Sequence, residues 1–413
     1  MGCLSAHAAH FRDMLVVAWL SGALMLVGCS TPSGPDVSPS ARHELPPSAK
    51  QEALFRLINA REAWRTTRGD PNLLIGVIDN GFDFFHPNLK GQLNPGYYYP
   101  GGYHPEIFEN IAHGTMISSI IVARRDDQTG MVGLAPDCRA LTASHGLVEH
   151  TLIKLLGEFH TKHPNASFRE IQRSVFGKHR KSLQSFGVKW VTYQTSGAAK
   201  AIRYLVSHGV KVINISGLFS RRMCPSSEVW QELEDAFAFA AQKDVVIVLA
   251  AGNSASRIED YPGSSSSTIV AGATLLDDTR WETEMTVRGQ TVKQGSAFGK
   301  RLTVMAPVEN VMTSQPHDRR IYTSKDGPMG ATDVKFAGMH RMLPNGATSC
   351  AAPIVTSLVA LVRSVRPDLD AEEVVEVVKQ GCDDIGEAGP DVYTGHGRVN
   401  FGKTIKVALS MPK

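Results

Sequence analysis

The chain has 413 residues, 42% of them hydrophobic and 20% charged, with a formal net charge of +3 at pH 7. That length admits one large domain or two medium ones, and the hydrophobic share is enough to bury a sizeable core. So small a charge, with no Arg/Lys stripe interleaved with aromatics, argues against a nucleic-acid partner. The one dense basic cluster is Lys178-His179-Arg180-Lys181. It reads as a solvated loop, with a processing site or a patch for an acidic partner as the alternative.

At the N-terminus, Leu15 to Val27 is an apolar run without charge, followed by Gly28-Cys29. The run is too short to span a bilayer comfortably, and a small residue before the cut suits signal-peptide cleavage. Only Arg12, beside Asp13, supplies positive charge ahead of it. Leu26-Val27-Gly28-Cys29 resembles the bacterial lipobox. That resemblance implies a signal peptide over 1–28, an acylated Cys29 as mature N-terminus, and a stable membrane anchor if several chains are attached. An ordinary signal peptide with an incidental cysteine is the alternative. Residues 29–50 then form a tether, with Pro32, Pro35, Pro39, Pro46 and Pro47 among serines, a composition that builds no core.

A globular pattern runs over 51–410. Leu73 to Ile78, Val210 to Ile215 and Val245 to Ala250 are continuous apolar runs, as in buried parallel strands. Thr268 to Ala271 and Leu302 to Met305 are weaker strands. Helical stretches fall between them at Ile117 to Ala123, Ala198 to Ser207, Val229 to Gln242 and Ala351 to Val365. The last is apolar on all sides and belongs in a core. The alternation predicts an α/β fold with a mostly parallel sheet covered by helices. Ligands in such sheets gather at the carboxyl ends of strands, where Asp79 and Asn253 stand.

Hydrolysis of a peptide by a serine needs a base for the hydroxyl proton, a carboxylate to orient the base, and donors for the oxyanion. Candidates stand in Val77-Ile78-Asp79-Asn80-Gly81, in Ala112-His113-Gly114-Thr115, in Ala250-Ala251-Gly252-Asn253, and in Asn345-Gly346-Ala347-Thr348-Ser349-Cys350-Ala351-Ala352-Pro353. Ser349 precedes the apolar helix, where free N–H groups face developing negative charge; a plain helix cap is its structural alternative.

These segments, in the order Asp, His, Asn, Ser, resemble the subtilisin-like peptidases from about Ile58 to Val407. Supporting fragments are His86-Pro87-Asn88-Leu89, Gly133-Leu134-Ala135-Pro136, Asn214-Ile215-Ser216, Tyr261-Pro262-Gly263, Ala306-Pro307 and Gly395-His396-Gly397-Arg398. The resemblance implies a three-layer fold with helices on both faces of the sheet. It also implies a serine endopeptidase working through an acyl-enzyme on a protein or peptide substrate. Ser349 would be nucleophile, His113 base and then acid, and Asp79 the orienting carboxylate. The Asn253 amide and the Ser349 N–H would hold the oxyanion. Ser216 and Gly217, with Ala250, Ala251 and Gly252, would be backbone strips pairing with substrate. A monomer is expected, held at the cell envelope by its lipid. Ser30 after Cys29 points to the outer membrane if the envelope has two.

Departures from the family pattern motivate a second reading, a catalytically weak or idle platform for peptide binding. Ala347 stands where the family usually has Gly, and its methyl could crowd substrate. Val308 replaces a Gly after Ala306-Pro307, a structural change. His113 and Asn253 are 140 positions apart, and Asn253 and Ser349 are 96 apart. The surplus falls near 146–195, with an amphipathic helix expected at Val148 to Phe159, and near 314–344. Both insertions could rim the cleft or merely decorate the surface. The family often carries an inhibitory prodomain, for which the short tether leaves little room.

The chemistry requires no cofactor. Structural calcium remains open, with Asp277, Asp278, Asp383 and Asp384 read as turn residues or ligands. His86 is read as structural. His145, His150, His160 and His163 lack any ligand motif, and zinc is not expected. Cys350 reads as a small buried residue. Cys138, Cys224 and Cys382 have no CxxC spacing, and a disulfide pairing is open.

Overall fold

The structure is a computed structural model, and it describes residues 47–98, 113–126, 130–144, 180–222, 224, 226–264, 266–287, 290–315, 319–323, 330–334 and 340–412. The signal peptide, Cys29, most of the tether, the four clustered histidines and the helix expected at 148–159 lie outside the described residues.

The chain enters through α1 (Pro47–Leu57) and α2 (Ala60–Trp64). Pro47 occupies the first helical position, where a missing N–H costs nothing. Gln51, Leu54 and Phe55 of α1 are buried. Next come β1 (Leu74–Ile78), β2 (Leu93–Tyr98), α3 (His113–Val122), β3 (Arg139–Ser144) and α4 (Arg180–Ser207). They are followed by β4 (Val212–Ile215), α5 (Ser227–Gln242), β5 (Val246–Ala250) and β6 (Thr268–Thr274). A ribbon of β7 (Glu282–Val287) and β8 (Gln290–Gly295) precedes β9 (Val304–Pro307) and β10 (Glu309–Ser314). The chain closes with β11 (Arg319–Thr323), β12 (Gly330–Val334), β13 (His340–Asn345), α6 (Thr348–Val365), α7 (Ala371–Gln380) and α8 (Phe401–Ser410).

Seven strands form the central sheet in the order β2-β3-β1-β4-β5-β6-β9, and every pairing in it is parallel. Side chains alternate across it with the period of two that a strand imposes. Val77, Val212, Val246, Val248 and Ala250 join one core with α3, α6, α7 and α8. Ile78, Ile213, Ile215, Ile247 and Leu249 join a second core with α4 and α5. The continuous apolar runs are the consequence, because both faces of each strand are covered. Helix α4 presses so close that a Cβ at Gly76 would lie 2.9 Å from Leu205.

From β1 the chain moves to β2 and β3 on one side and then crosses to β4 on the other. That reversal falls at the carboxyl ends of β1 and β4, the place where such sheets bind ligands. Helix α6 runs behind it, buried along nearly its whole length.

Of the two insertions, the first contributes only the N-terminal part of α4, residues 180–195, to the described structure. The second lies between β10 and β13, which pair antiparallel, with β11 and β12 forming a hairpin between them. Its base is fastened to α3 and the segment after it: the Ser314 N–H donates to Ser119 Oγ at 2.8 Å, and His340 Nε2 lies 2.8 Å from Asp126 Oδ2.

Candidate active site

Asp79 follows the last residue of β1 and is almost fully buried. Its Oδ1 accepts the Asn80 N–H at 2.7 Å, and both carboxylate oxygens lie 2.8 Å from His113 Nδ1. A carboxylate only accepts, so the shared proton sits on Nδ1 and the lone pair of the neutral ring is on Nε2. Burial depresses the His113 pKa, but the Asp79 charge and hydrogen bond outweigh it and raise the value above the ordinary 6.5.

His113 is the first residue of α3. That helix start is fastened by its backbone: the Gly114 N–H donates to Asn80 O at 2.7 Å and the Thr115 N–H to Gly81 O at 2.9 Å. Thr115 Oγ1 donates to Gly81 O at 3.1 Å and accepts the Asp83 N–H at 2.8 Å. A Cβ at Gly114 would lie 2.8 Å from the Phe82 ring and 3.0 Å from Asn80 O, so only glycine permits this approach.

Ser349 lies in the first turn of α6, whose cap residue is Ala347. Two loops at the carboxyl edge hold this turn. After β5, Asn253 Oδ1 accepts from Thr348 N at 3.1 Å and from Thr348 Oγ1 at 2.6 Å, while the Gly252 N–H donates to Thr348 Oγ1 at 3.1 Å. After β4, Ser216 Oγ donates to Ser349 O at 2.8 Å. With its oxygen engaged twice, the Asn253 amide has its N–H group left over, and this has no acceptor among the described residues. Helix α3 packs against α6, so the helices that open with His113 and Ser349 are neighbours.

The strips expected to bind substrate differ from each other. Ala250 belongs to β5. The Ala251 N–H donates to Ala271 O at 2.9 Å, and its carbonyl accepts from Tyr261 Oη at 2.7 Å. The Gly252 carbonyl accepts the Ala297 N–H at 2.9 Å. These three residues have their backbone committed inside the protein. The Ser216 hydroxyl is likewise turned inward. Gly217 and Leu218 have no backbone partner among the described residues, and a Cβ at Gly217 would meet nothing closer than 4.0 Å.

Ala347 has φ −123° and ψ −179°, extended backbone that carries a side chain without strain, and it is half-buried against the core. Val308 is fully buried; its N–H donates to Thr274 O and its carbonyl accepts the Gly346 N–H at 2.7 Å. Cys350 is buried behind the serine, which pushes its thiol up to about 11, too high for a nucleophile. Cys138, Cys224, Cys350 and Cys382 are all free. His86 is fully buried, accepts the Asn88 N–H at Nδ1, and meets the His340 ring edge-on at 5.5 Å. Among the described residues no group of three or more His, Cys, Asp or Glu side chains is arranged to hold a metal. Asp278 and Asp383 instead pair with Arg398, Asp277 caps its own turn at Thr279, and Asp384 accepts the Gly389 N–H. In the sequence Thr348 is marked only as the flank of Ser349; its bonds to Asn253 and Gly252 come from the fold.

The model of the subtilase family matches residues 70–397. The chain belongs to the subtilase family. This subtilase is 26% identical over 339 residues to a thermophilic serine proteinase of Bacillus sp. (strain AK1), covering 82% of this chain and 63% of that one. It is 27% identical over 358 residues to mycosin-4 of Mycobacterium tuberculosis, covering 85% and 68%. The chain thus spans under two thirds of the Bacillus proteinase's length. The crystal structure of MycP1 from Mycobacterium smegmatis superimposes with a TM-score of 0.57 at 20% identity, covering 92% of this chain and 88% of that one. The similarity is one of fold.

Proposed function

We propose that this subtilase is a serine endopeptidase that cleaves protein or peptide substrates through an acyl-enzyme. The observation that carries the reading is the buried Asp79–His113 hydrogen bond at the end of β1, with α3 packed against the helix that has Ser349 in its first turn. His113 Nε2 takes the Ser349 proton as Oγ attacks the scissile carbonyl. The Asn253 amide N–H and the Ser349 N–H hold the oxyanion. The imidazolium, steadied by Asp79, protonates the leaving amine, and a water activated by the same ring releases the acyl group. The substrate backbone adds as a strand to Gly217 and Leu218, while Ala250, Ala251 and Gly252 wall the pocket for a side chain. Ala347, in extended backbone and packed against the core, favours the catalytic reading over the idle-platform alternative.

A fluorophosphonate probe tests this reading. Wild type should label and Ser349→Ala should not. A folded wild type that stays unlabelled would return the chain to the binding-platform reading.

We further propose that the protein is exported and held at the cell envelope as a monomer through acylated Cys29, with the Pro/Ser-rich segment as spacer. Metabolic labelling with an alkyne fatty acid should mark wild type and not Cys29→Ser. Equal labelling of both would remove the anchor from the account.

A further inference from the structure

We infer that Ser216, Asn214 and Thr356 form a buried relay that positions the nucleophile, standing in for a helix hydrogen bond that Pro353 cannot make. In α6 the Ser349 carbonyl would accept an N–H from the residue four positions on. That residue is Pro353, which has no N–H and whose ring crowds that same carbonyl. The Ser349 carbonyl is therefore an orphan in the turn where position matters most.

The structure gives it another donor. Ser216 Oγ donates to Ser349 O at 2.8 Å. A hydroxyl has one proton, so Ser216 must be addressed as an acceptor by whatever else it meets. It meets Asn214 Nδ2 at 3.0 Å. The amide is turned that way because its Oδ1 accepts from Thr356 Oγ1, also at 3.0 Å. Thr356 is seven residues after Ser349, two helical turns along the same face, so the relay leaves α6, crosses β4 and returns to α6. Asn214 and Thr356 are fully buried and Ser216 nearly so. No water competes for these groups, and every donor is directed: Thr356 to Asn214, Asn214 to Ser216, Ser216 to Ser349. Pinning the carbonyl from behind fixes the peptide plane of Ser349, and so the direction in which its side chain leaves the turn.

These are positioning residues, since none touches the reacting atoms, and their role rests on the proposed catalytic reading. Removing the Ser216 hydroxyl should lower kcat about tenfold, with KM changed less than about twofold. Thr356→Val, close in shape, should lower kcat a few-fold. In the pair Ser216→Ala/Thr356→Val the second change should add nothing, because the relay already ends at Ser216. Ser216→Thr, which keeps a hydroxyl, should restore most of the rate.

The test combines this kinetic cycle on a short peptide substrate with a readout independent of turnover. Ser349-Cys350 is the only Ser-Cys pair in the chain, so ¹³C′-serine with ¹⁵N-cysteine labelling of the full chain isolates one carbonyl signal. The Ser349 ¹³C′ shift should move upfield in Ser216→Ala, less in Thr356→Val, and no further in the double variant. An unmoved shift in Ser216→Ala, strictly additive kinetic losses, or a moved shift with unchanged kcat would each overturn the relay. A wild type inert towards both peptide and fluorophosphonate would instead overturn the catalytic reading, and with it the positioning role.

Discussion

The two helices that open at the carboxyl edge of the sheet are fastened by different means. The start of α3, with His113, is held by backbone bonds to Asn80 and Gly81. The start of α6, with Ser349, is held by side chains, those of Asn253, Thr348 and Ser216. Backbone fastening survives most substitutions and fails only where a side chain forces the backbones apart. Side-chain fastening can be undone one hydroxyl at a time. The proposed base His113 should therefore be mutationally robust in position, and the proposed nucleophile Ser349 sensitive.

The largest effect sets the scale: Ser349→Ala should cost on the order of 10⁴-fold or more in kcat/KM against a peptide substrate, leaving the fold intact. Asn253→Ala comes next, removing the proposed oxyanion donor and the acceptor that seats Thr348; kcat should fall about 10²- to 10³-fold. The two first-turn threonines then put the comparison directly. Thr348→Val should lower kcat about tenfold, because it unseats Asn253. Thr115→Val should leave kcat within about threefold and appear as lost stability, about 1–3 kcal/mol, because the buried Asp83 N–H loses its acceptor. Equal kinetic losses for the two would erase the distinction. Gly114→Ala is the exception on the α3 side. Its Cβ would press on the Phe82 ring, costing about 1–3 kcal/mol by denaturant melt and shifting His113.

What could be read in the sequence follows the same division. The strands β1, β4 and β5 announce themselves because both faces are buried. The stretches holding Asp79, His113, Asn253 and Ser349 are local motifs, each contained within a few residues. Strand β2 escapes because Pro95 and Gly96 interrupt it, tolerated at the sheet edge with a register shift between Pro95 and Tyr97. Strand β3 escapes because Ala140 and Ala143 are too small to mark a strand, though both are fully buried. Helix α7 opens on a reciprocal cap between Asp370 and Glu373, a signal a sequence can carry, but its valines come in two pairs split by Glu376 and make no long apolar run. Thr348 and Asn214 are legible only as members of their motifs, without their contacts, and Thr356 not at all. Short polar residues acquire meaning only from the groups that folding brings to them, here across 95 and 142 positions. Pro353 was visible as part of a motif, but the carbonyl it orphans becomes informative only beside Ser216.

The Asp79–His113 pair also fixes the sign of two pH effects. A histidine whose folded pKa is raised binds its proton more tightly in the native state. Its stabilising effect is full below the unfolded value near 6.5 and is lost as pH rises through the higher folded value. Activity runs the other way, since the base must be neutral: the pair is most stable where it is least active.

The most direct test of the account is the pH dependence of kcat/KM for a short peptide substrate, with His113→Ala as the reference. The account predicts a single acid limb for wild type, with its midpoint above the ordinary histidine value of 6.5, and loss of that limb together with activity in the variant. A rate that stays flat from about pH 5 to about pH 8 would contradict it, because His113 would then not be the base that activates Ser349.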